Sequence, residues 1–314
     1  MRARRSCLSV PGSSPKMLAK AAGLPADEVF FDLEDSVAPL EKEAARGNVI
    51  QALKENEYKA PTKVLRVNGV YTKWCAGDLQ EVVEAVGEHL DAIMIPKVET
   101  VSDVKFVSNM LRMIEDNLGF TKRLGIEVQI ETALGLLNLR DIAASDDRIE
   151  DLILGPADMS ASLGLPTVTA GEPIPGYENL DHFHYVLTHI NIAARANNLQ
   201  AIGGPYLLIR DLDGFRAAAM RERALGYDGK WALHPDQIKI LNEVFAPTQD
   251  EFDKAEAVLE HYKHVTEVER KGAVMFGKEM IDEASRKMAE QFAARGRAAG
   301  MERVKGVEEF LKGD

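Results

Sequence analysis

Acidic side chains stand close together in the segment VFFDLEDSV, residues 29–37, where an apolar run leads into Asp32, Glu34 and Asp35. No basic residue lies among them, and carboxylates at such close spacing repel one another. The cluster therefore needs positive charge from elsewhere in the chain or from a bound cation.

Three more charged residues each follow an apolar run directly: Arg66 in KVLRVN, Glu131 in EVQIET and Asp158 in LILGPAD. If these runs are parallel strands of one barrel, their carboxyl ends meet at the same mouth. The available donors there are oxygens, with no Cys or His cluster, so a hard divalent ion, Mg²⁺ or Mn²⁺, is the simplest counter-charge. We predict Glu131 and Asp158 as its ligands, because Mg²⁺ usually takes one or two protein carboxylates and completes its shell with water and substrate.

In this hypothesis the cluster of Asp32, Glu34 and Asp35 surrounds the metal and holds its water ligands. Two plainer interpretations stay open. Asp158 taken alone could be a helix N-cap or a solvated loop residue. Arg66 taken alone could be an ion-pair partner of the acidic cluster.

Short apolar runs alternate with longer stretches of helical periodicity, which indicates repeated βα units. The runs are continuously apolar, as is typical of parallel strands covered by helices. The predicted strands are Ser6–Val10, Glu28–Leu33, Lys63–Asn68, Asp91–Pro96, Gly125–Thr132, Asp151–Gly155, Gln200–Gly204 and Lys230–His234. Eight such units favour a (β/α)8 TIM barrel, with a doubly wound open sheet as the alternative.

The pattern changes in two places. The loop over residues 159–180 is long and rich in Gly, Pro and Thr, a composition suited to an active-site lid. After the eighth strand, two helical stretches, Gln249–Arg270 and Glu279–Ala294, precede a charged tail that we expect to be mobile or used in subunit packing. The predicted domains are a catalytic barrel over 1–245 and a helical extension over 246–314.

Composition excludes several classes of protein. The formal net charge of -12 and the pI near 5.2 argue against a nucleic-acid partner. The apolar runs are too short to span a bilayer, and the basic start of the chain is not followed by a signal-peptide core. The two cysteines, Cys7 and Cys75, form no metal or disulfide motif, so we expect a cytoplasmic protein.

A series of motifs in order along the chain resembles the citrate lyase β-subunit-like acyl-CoA lyases of the HpcH/HpaI aldolase superfamily. The matching segments are RSCLSVPGSSPKML, VFFDLEDSVAPLEKEAAR, LRVNG, DAIMIPKVE, VQIETALG, LGPADMSASLG, GKWALHPDQI and GKEMIDEAS. Within that family, IMIPKV, GKWALHP, NEVFAP and MIDEAS are most similar to L-malyl-CoA/β-methylmalyl-CoA lyases.

The resemblance implies a TIM barrel assembled into trimers or hexamers, with Mg²⁺ on Glu131 and Asp158 and a catalytic Arg66 at the mouth. It implies a second catalytic residue, Asp282 of GKEMIDEAS, delivered to the site of a neighbouring subunit. The coenzyme A contacts of the relatives fall on Ser9, Ser14, Lys20, Arg66, Ala157, Leu233 and His234. Some relatives carry Arg where this chain has Ser14, so Arg5 or Lys16 would have to supply the phosphate contact. On the residues alone, Asp282 would be an exposed helix residue and His234 a structural histidine.

The activity that the resemblance implies is reversible retro-Claisen cleavage of malyl-CoA to glyoxylate and acetyl-CoA, and of β-methylmalyl-CoA to glyoxylate and propionyl-CoA. Alternatives are a citramalyl-CoA lyase, a citrate lyase β-subunit, a malyl-CoA thioesterase and, least favoured, a non-catalytic CoA-binding scaffold. One methyl or carboxymethyl group separates the lyase substrates, a difference of about 1–3 kcal/mol in binding that the sequence does not reveal.

Overall fold

The computed structural model describes residues 2–169, 174–177 and 181–311. Within these residues eight parallel strands pair in chain order, and the last pairs with the first, so the sheet closes. They are β1 Ser6–Pro11, β2 Glu28–Asp32, β3 Thr62–Arg66, β4 Ala92–Ile95, β5 Gly125–Ile130, β6 Ile149–Leu154, β7 Gln200–Gly203 and β8 Gly229–Ala232. The predicted TIM barrel is confirmed and the open sheet is wrong, because an open sheet would leave β1 and β8 unpaired.

Helices follow the strands on the outside of the barrel. They are α1 Pro15–Ala21, α2 Lys42–Glu55, α3 Cys75–Gly77, α4 Val83–Val86, α5 Val101–Leu118, α6 Ala133–Leu137, α7 Leu139–Ala143, α8 Pro156–Ser162, α9 His184–Ala196, α10 Leu212–Ala224 and α11 Pro235–Val244. A π-helical turn joins α3 to α4 over Asp78–Val82, and a 3-10 turn covers Gly87–His89.

Local sequence sets the helix ends. Helix α5 begins after a capping box in which Thr100 and Asp103 exchange side-chain and backbone hydrogen bonds, and it ends at Gly119 in the left-handed conformation, φ 68°. Among the helices of the described residues, none combines the length and the apolar character needed to cross a membrane.

Side chains of alternate strand residues fill the barrel in layers. The middle layer is apolar and consists of Cys7, Phe30, Val64, Ala92, Met94, Ile153, Ile202 and Trp231. Because successive strand residues point to opposite faces, Glu28 and Asp32 lie on either side of Phe30 along β2. The apolar layer thus separates a polar base from a polar mouth.

The base is organised around Arg4, whose side chain is buried. Its guanidinium donates to Glu28 and Glu127, both at 2.9 Å, and forms an ion pair with Asp151 at 3.1 Å. Burial, with added repulsion from Glu127, raises the pKa of Glu28 and Asp151 well above the ordinary carboxyl values. One arginine therefore supports more buried carboxylates than it can neutralise.

Arg4→Met should lower the free energy of unfolding by about 3–5 kcal/mol, because it leaves buried carboxylates without their cation. The loss should shrink as the pH falls, since protonated carboxyl groups do not need the cation. Guanidinium chloride unfolding at several pH values measures both effects. Arg5→Met is the matched control: Arg5 pairs with Asp27 at a partly exposed position, so about 0–1 kcal/mol is expected. Equal losses in the two variants would contradict the assignment of Arg4 to the barrel base.

Residues Ala3–Phe245 form one compact unit and a second begins at Ala246. The second unit contains α12 Gln249–His264, a π-helical turn over Val265–Glu269, the strands β9 Val274–Phe276 and β10 Glu279–Ile281, α13 Glu283–Ala298 and α14 Val307–Leu311. Its core includes Ala257, Phe276, Ile281 and Ala293.

The predicted helix Glu279–Ala294 is wrong over its first residues, which form an antiparallel hairpin with β9. Gly277 turns the hairpin at φ 60°, a conformation that glycine adopts without strain. Asp282 then starts α13.

The sequence predicts that the tail beyond Ala294 is mobile or used in subunit packing. In the structure, α13 continues to Ala298 and the following residues fold onto α12 of their own unit. Asp253 accepts hydrogen bonds from the backbone N–H groups of Val304 at 3.0 Å and Lys305 at 3.2 Å. Phe310 stacks on Phe276 with ring centroids 6.2 Å apart.

Candidate functional site

Arg66 is the last residue of β3, and the strand register places it beside Asp32, the last residue of β2. Its guanidinium holds both oxygens of Asp32, at 2.8 and 2.7 Å, and contacts Glu34 at 3.2 Å. The same group lies over the Trp231 ring, 5.1 Å from its centroid. Arg66 is therefore an ion-pair partner of the acidic cluster, as one interpretation of the sequence predicts. These contacts also fix its planar guanidinium at the barrel mouth.

Asp32 is fully buried, and its oxygens also accept the backbone N–H groups of Glu34 at 2.8 Å and Ser36 at 3.2 Å. Burial alone would raise the pKa of Asp32, but the charge of Arg66 and these hydrogen bonds outweigh it, so the pKa is lowered. Asp32 is thus an ionised anchor for the loop that carries Glu34 and Asp35.

Lys97 supplies the second positive charge. Its ammonium nitrogen lies 2.6 Å from Glu34, 3.2 Å from Asp35 and 3.4 Å from Asp158. Burial lowers its pKa, but Glu131 and the other carboxylates raise it further, so the net pKa is above the ordinary lysine value. The acidic cluster is therefore held together by two basic side chains from β3 and the end of β4.

Lys97 is not among the residues predicted to form the site, although the motif IMIPKV places it at a strand end like the others. That position, two residues past a buried strand, was the signal that could have identified it. Lys42, also without an assigned role, donates to the carbonyls of Leu33 at 3.0 Å and Glu34 at 2.9 Å and so supports the acidic loop from beneath.

Glu131 follows β5 and is 1% exposed. One carboxylate oxygen accepts the backbone N–H of Lys97 at 2.7 Å, and the other accepts the side-chain amide of Gln129 at 2.8 Å. Burial raises the pKa of Glu131 to about 8, with Asp158 and Glu34 adding to the shift and Lys97 and Arg66 opposing it. A side chain at Gly155 would overlap the Glu131 carboxylate, so this glycine leaves the space that Glu131 occupies.

Asp158 lies in the first turn of α8, with its side chain partly exposed toward Lys97. The N-cap of that helix is Gly155, so the interpretation of Asp158 as a helix cap is wrong. Both carboxylates contact Lys97: its backbone N–H donates to Glu131 at 2.7 Å and its ammonium nitrogen lies 3.4 Å from Asp158. The structure therefore brings together the two residues predicted as metal ligands.

The donor set fits a hard dication. Over the described ranges of the chain, no group of three His, Cys, Asp or Glu side chains is placed to hold a metal ion. Two carboxylates, with water and substrate oxygens completing the shell, suffice for Mg²⁺. A buried glutamate with a raised pKa is moreover a group that an added positive charge would stabilise in its ionised form.

Besides Arg66 at the end of β3, the residues predicted to contact coenzyme A lie on β1, at the start and in the last turn of α1, on α8 and after β8. Ser9 is in β1, Ser14 caps α1 by accepting the backbone N–H of Met17 at 3.4 Å, and Lys20 is exposed in the last turn of that helix. Leu233 and His234 follow β8, which pairs with β1, so both sets belong to the same sector of the barrel.

His234 caps α11 through its ring nitrogen, which accepts the backbone N–H of Asp236 at 3.3 Å. This is the contact expected of a structural histidine, and it leaves the ligand role of His234 a prediction. Ala157 is exposed in the first turn of α8, next to Asp158.

Arg5 does not replace the arginine that some relatives carry at position 14. Its guanidinium is held by Asp27 at 2.7 and 2.8 Å, and it precedes β1 at the opposite end from the mouth. Lys16, exposed on α1 with Lys20 one turn further on, is the remaining candidate for a phosphate contact.

Asp282 is the N-cap of α13 in the second unit. One oxygen accepts the backbone N–H groups of Ala284 at 3.0 Å and Ser285 at 3.1 Å. These hydrogen bonds, that of Ser285 first, lower the pKa of the partly exposed carboxylate. Asp282 is thus an ionised cap rather than a residue on the helix face.

Fold and site together define a class: a TIM barrel whose mouth combines a fixed arginine with carboxylates suited to a hard cation. Residues 5–235 match the family described as HpcH/HpaI aldolase/citrate lyase, and the chain belongs to this family. The protein is 37% identical to the L-malyl-CoA/β-methylmalyl-CoA lyase of Cereibacter sphaeroides, with 92% of this chain and 93% of the relative covered.

A second relative from Cereibacter sphaeroides, (3S)-malyl-CoA thioesterase, is 35% identical, with 87% of this chain and 88% of the relative covered. Among solved structures, CitE from Mycobacterium tuberculosis in complex with magnesium, acetoacetate and coenzyme A is similar with a TM-score of 0.71 and 27% identity. That match covers 94% of this chain and 98% of the other.

Proposed function

We propose that this protein is a Mg²⁺-dependent lyase that cleaves malyl-CoA to glyoxylate and acetyl-CoA, and β-methylmalyl-CoA to glyoxylate and propionyl-CoA. The observation that carries the proposal is the position of Glu131 and Asp158 on either side of Lys97, in one mouth with Arg66. The 37% identical lyase and the magnesium and coenzyme A named with the solved relative support it.

The cleavage breaks the C2–C3 bond of the 3-hydroxyacyl thioester. The hydroxyl group loses its proton and becomes the carbonyl of glyoxylate, and the electron pair of the broken bond passes to the thioester as an enolate. Glu131 and Asp158 would hold the Mg²⁺, which would supply Lewis-acid chemistry at the hydroxyl group.

Arg66 stabilises the negative charge that develops on the thioester oxygen, an effect typically worth about 3 kcal/mol in barrier height. Two hydrogen bonds to Asp32 hold the Arg66 guanidinium in place before the negative charge develops. A lysine at this position could not form the same bidentate contact. Cleavage moves one proton from the hydroxyl group to the enolate carbon. The ionised Asp282 carboxylate takes up a proton and delivers it to the enolate carbon, and in the condensation direction it removes that proton. Coenzyme A binds along the sector of β1 and β8, at Ser9, Ser14, Lys20, Leu233 and His234, and it also contacts Ala157 on α8 and Arg66 at the mouth.

The active form is a homo-oligomer, a trimer or hexamer, in which Asp282 acts at the mouth of a neighbouring subunit. Apolar side chains beside Asp282 support an intersubunit role for this surface: Met280 is 68% exposed, Met288 60% and Phe292 37%. They line a groove of about 290 Å³ between α12, β10 and α13. The buried thiols of Cys7 and Cys75 agree with residence in the reducing cytoplasm.

Thioester hydrolysis is the second candidate, because a 35% identical relative is named for it and the same site would bind its substrate. The two reactions release different products. Purified protein with Mg²⁺ should release glyoxylate from malyl-CoA and β-methylmalyl-CoA without freeing the coenzyme A thiol, as followed with phenylhydrazine and a thiol reagent. Free thiol and malate without glyoxylate would show a thioesterase, and pyruvate from citramalyl-CoA as the main product would move the assignment to that substrate.

A further inference from the structure

Lys97 has an unusual backbone for a residue with a side chain. It follows β4 with φ 52°, in the left-handed region that residues with a Cβ seldom enter. Strained positions of this kind persist where surrounding contacts over-determine them, and they concentrate at functional sites. Here the conformation turns both the backbone N–H and the side chain of Lys97 toward the barrel mouth.

The two groups of Lys97 have separate partners. The backbone N–H donates to Glu131 at 2.7 Å and, with Gln129, fixes the direction of that carboxylate. The ammonium group contacts Glu34, Asp35 and Asp158 at 2.6, 3.2 and 3.4 Å. One lysine thus aims one predicted metal ligand and neutralises the other.

A dication on Glu131 and Asp158 would be attracted by the same carboxylate oxygens that now attract the ammonium group. Two positive charges a few ångström apart in a half-buried mouth repel each other strongly. Contact of the ammonium with Asp158 and coordination of Asp158 to a dication therefore oppose each other. Glu34 and Asp35 offer the ammonium group two other partners, at 2.6 and 3.2 Å.

We propose that the Lys97 ammonium is a built-in counter-ion, which a divalent cation must displace from Asp158 and which then remains on Glu34 and Asp35. This inference rests on the metal site of the proposed function and deepens it. Lys97 is a positioning residue in this scheme. Its backbone N–H orients the Glu131 carboxylate, and the charge of its side chain lowers the affinity for the metal. The arrangement keeps the carboxylates together when no metal is bound and makes metal binding reversible.

The test is the affinity for Mn²⁺ of the metal-stripped full-length protein, measured by titration calorimetry without substrate. Lys97→Met keeps the length and the backbone N–H but removes the charge, so its Kd should fall by about tenfold or more. Lys97→Gln, which keeps an N–H donor for Glu34, tests the same point if the methionine variant folds poorly. Lys97→Arg retains the charge and should bind Mn²⁺ like the wild-type protein.

The matched control is Lys105→Met, because Lys105 pairs with Asp146 at 2.9 Å on the outer face of α5 and should leave the Kd unchanged. A second readout is thermal unfolding. The neutral Lys97 variants should melt lower than wild type in chelator and gain more from added Mn²⁺.

The outcomes separate the two hypotheses. Wild-type protein that binds Mn²⁺, with equal or weaker binding by both neutral variants, would overturn the role of Lys97 and leave the metal site standing. Absence of Mn²⁺ binding in every variant would overturn the metal site and this inference together. Tighter binding by the neutral variants alone supports both.

Discussion

Glu131→Gln should abolish measurable Mg²⁺ binding and lower kcat for malyl-CoA by about a thousandfold or more, since Lewis-acid stabilisation contributes several kcal/mol to such barriers. Glutamine keeps the shape of the side chain and one oxygen to accept the Lys97 N–H, but it removes the charge that attracts the cation. Glyoxylate release measures the rate, and Mn²⁺ titration measures the loss of the site.

The structure also predicts what this substitution should not do. Because burial raises the pKa of Glu131 to about 8, the side chain is costly to ionise in the metal-free protein. A neutral glutamine should therefore leave the melting temperature in chelator unchanged or higher, so lost activity would not reflect lost folding.

Two observations complete the experiment on the metal. Chelation of the wild-type protein should stop turnover, and Mg²⁺ in excess should restore it. Glu88→Gln, at an exposed position in the turn before β4, is the matched control and should keep native kinetics. Native turnover by the chelated protein or by Glu131→Gln would refute the role of the metal.

The barrel and the meeting of its charged strand ends were predictable from sequence. Parallel strands buried on both faces leave continuous apolar runs, and a closed barrel brings their carboxyl ends to one mouth. For that reason Arg66, Glu131 and Asp158 could be grouped although they are distant in the chain. Its position at a strand end could have placed Lys97 in the same group. Its contacts, however, depend on a left-handed backbone conformation that the sequence IMIPKV does not predict.

The partners of Arg4 were not predictable. The start of the chain, MRARR, reads only as a basic segment. The carboxylates that contact Arg4 come from three different strands: Glu28, Glu127 and Asp151. They converge only once the barrel is closed and the strand register is fixed. Such a cluster leaves no local spacing pattern.

The β9–β10 hairpin was missed for a different reason. Its strands span three residues each, too short for an alternating pattern, and the apolar spacing of the following helix extends through them. As a result Asp282 was placed within a helix, whereas it stands at the helix start. The correction matters for the mechanism, because an N-cap carboxylate is held by backbone hydrogen bonds in a fixed direction.

Asp282→Asn should lower kcat by about 10²–10⁴-fold with little change in KM, because it removes the group proposed to transfer the proton but no substrate-binding contact. Asparagine caps helices about as well as aspartate, so α13 and the second unit should remain folded. Circular dichroism and thermal unfolding check the fold, and glyoxylate release gives the rate. Glu283→Gln, one residue further along in the same helix, is the matched control and should keep native kinetics.

The origin of Asp282 can be tested by mixing two inactive proteins. If Asp282 acts in the neighbouring subunit, oligomers co-assembled from Asp282→Asn and Glu131→Gln chains contain sites with Glu131 from one chain and Asp282 from the other. Random assembly in a closed ring makes about a quarter of the sites complete, so about that fraction of native activity should return. If Asp282 served the barrel of its own chain, every site would lack one group and the mixed oligomers would stay inactive. Recovery of activity would thus establish the transfer between subunits, and its absence in a properly co-assembled sample would exclude it.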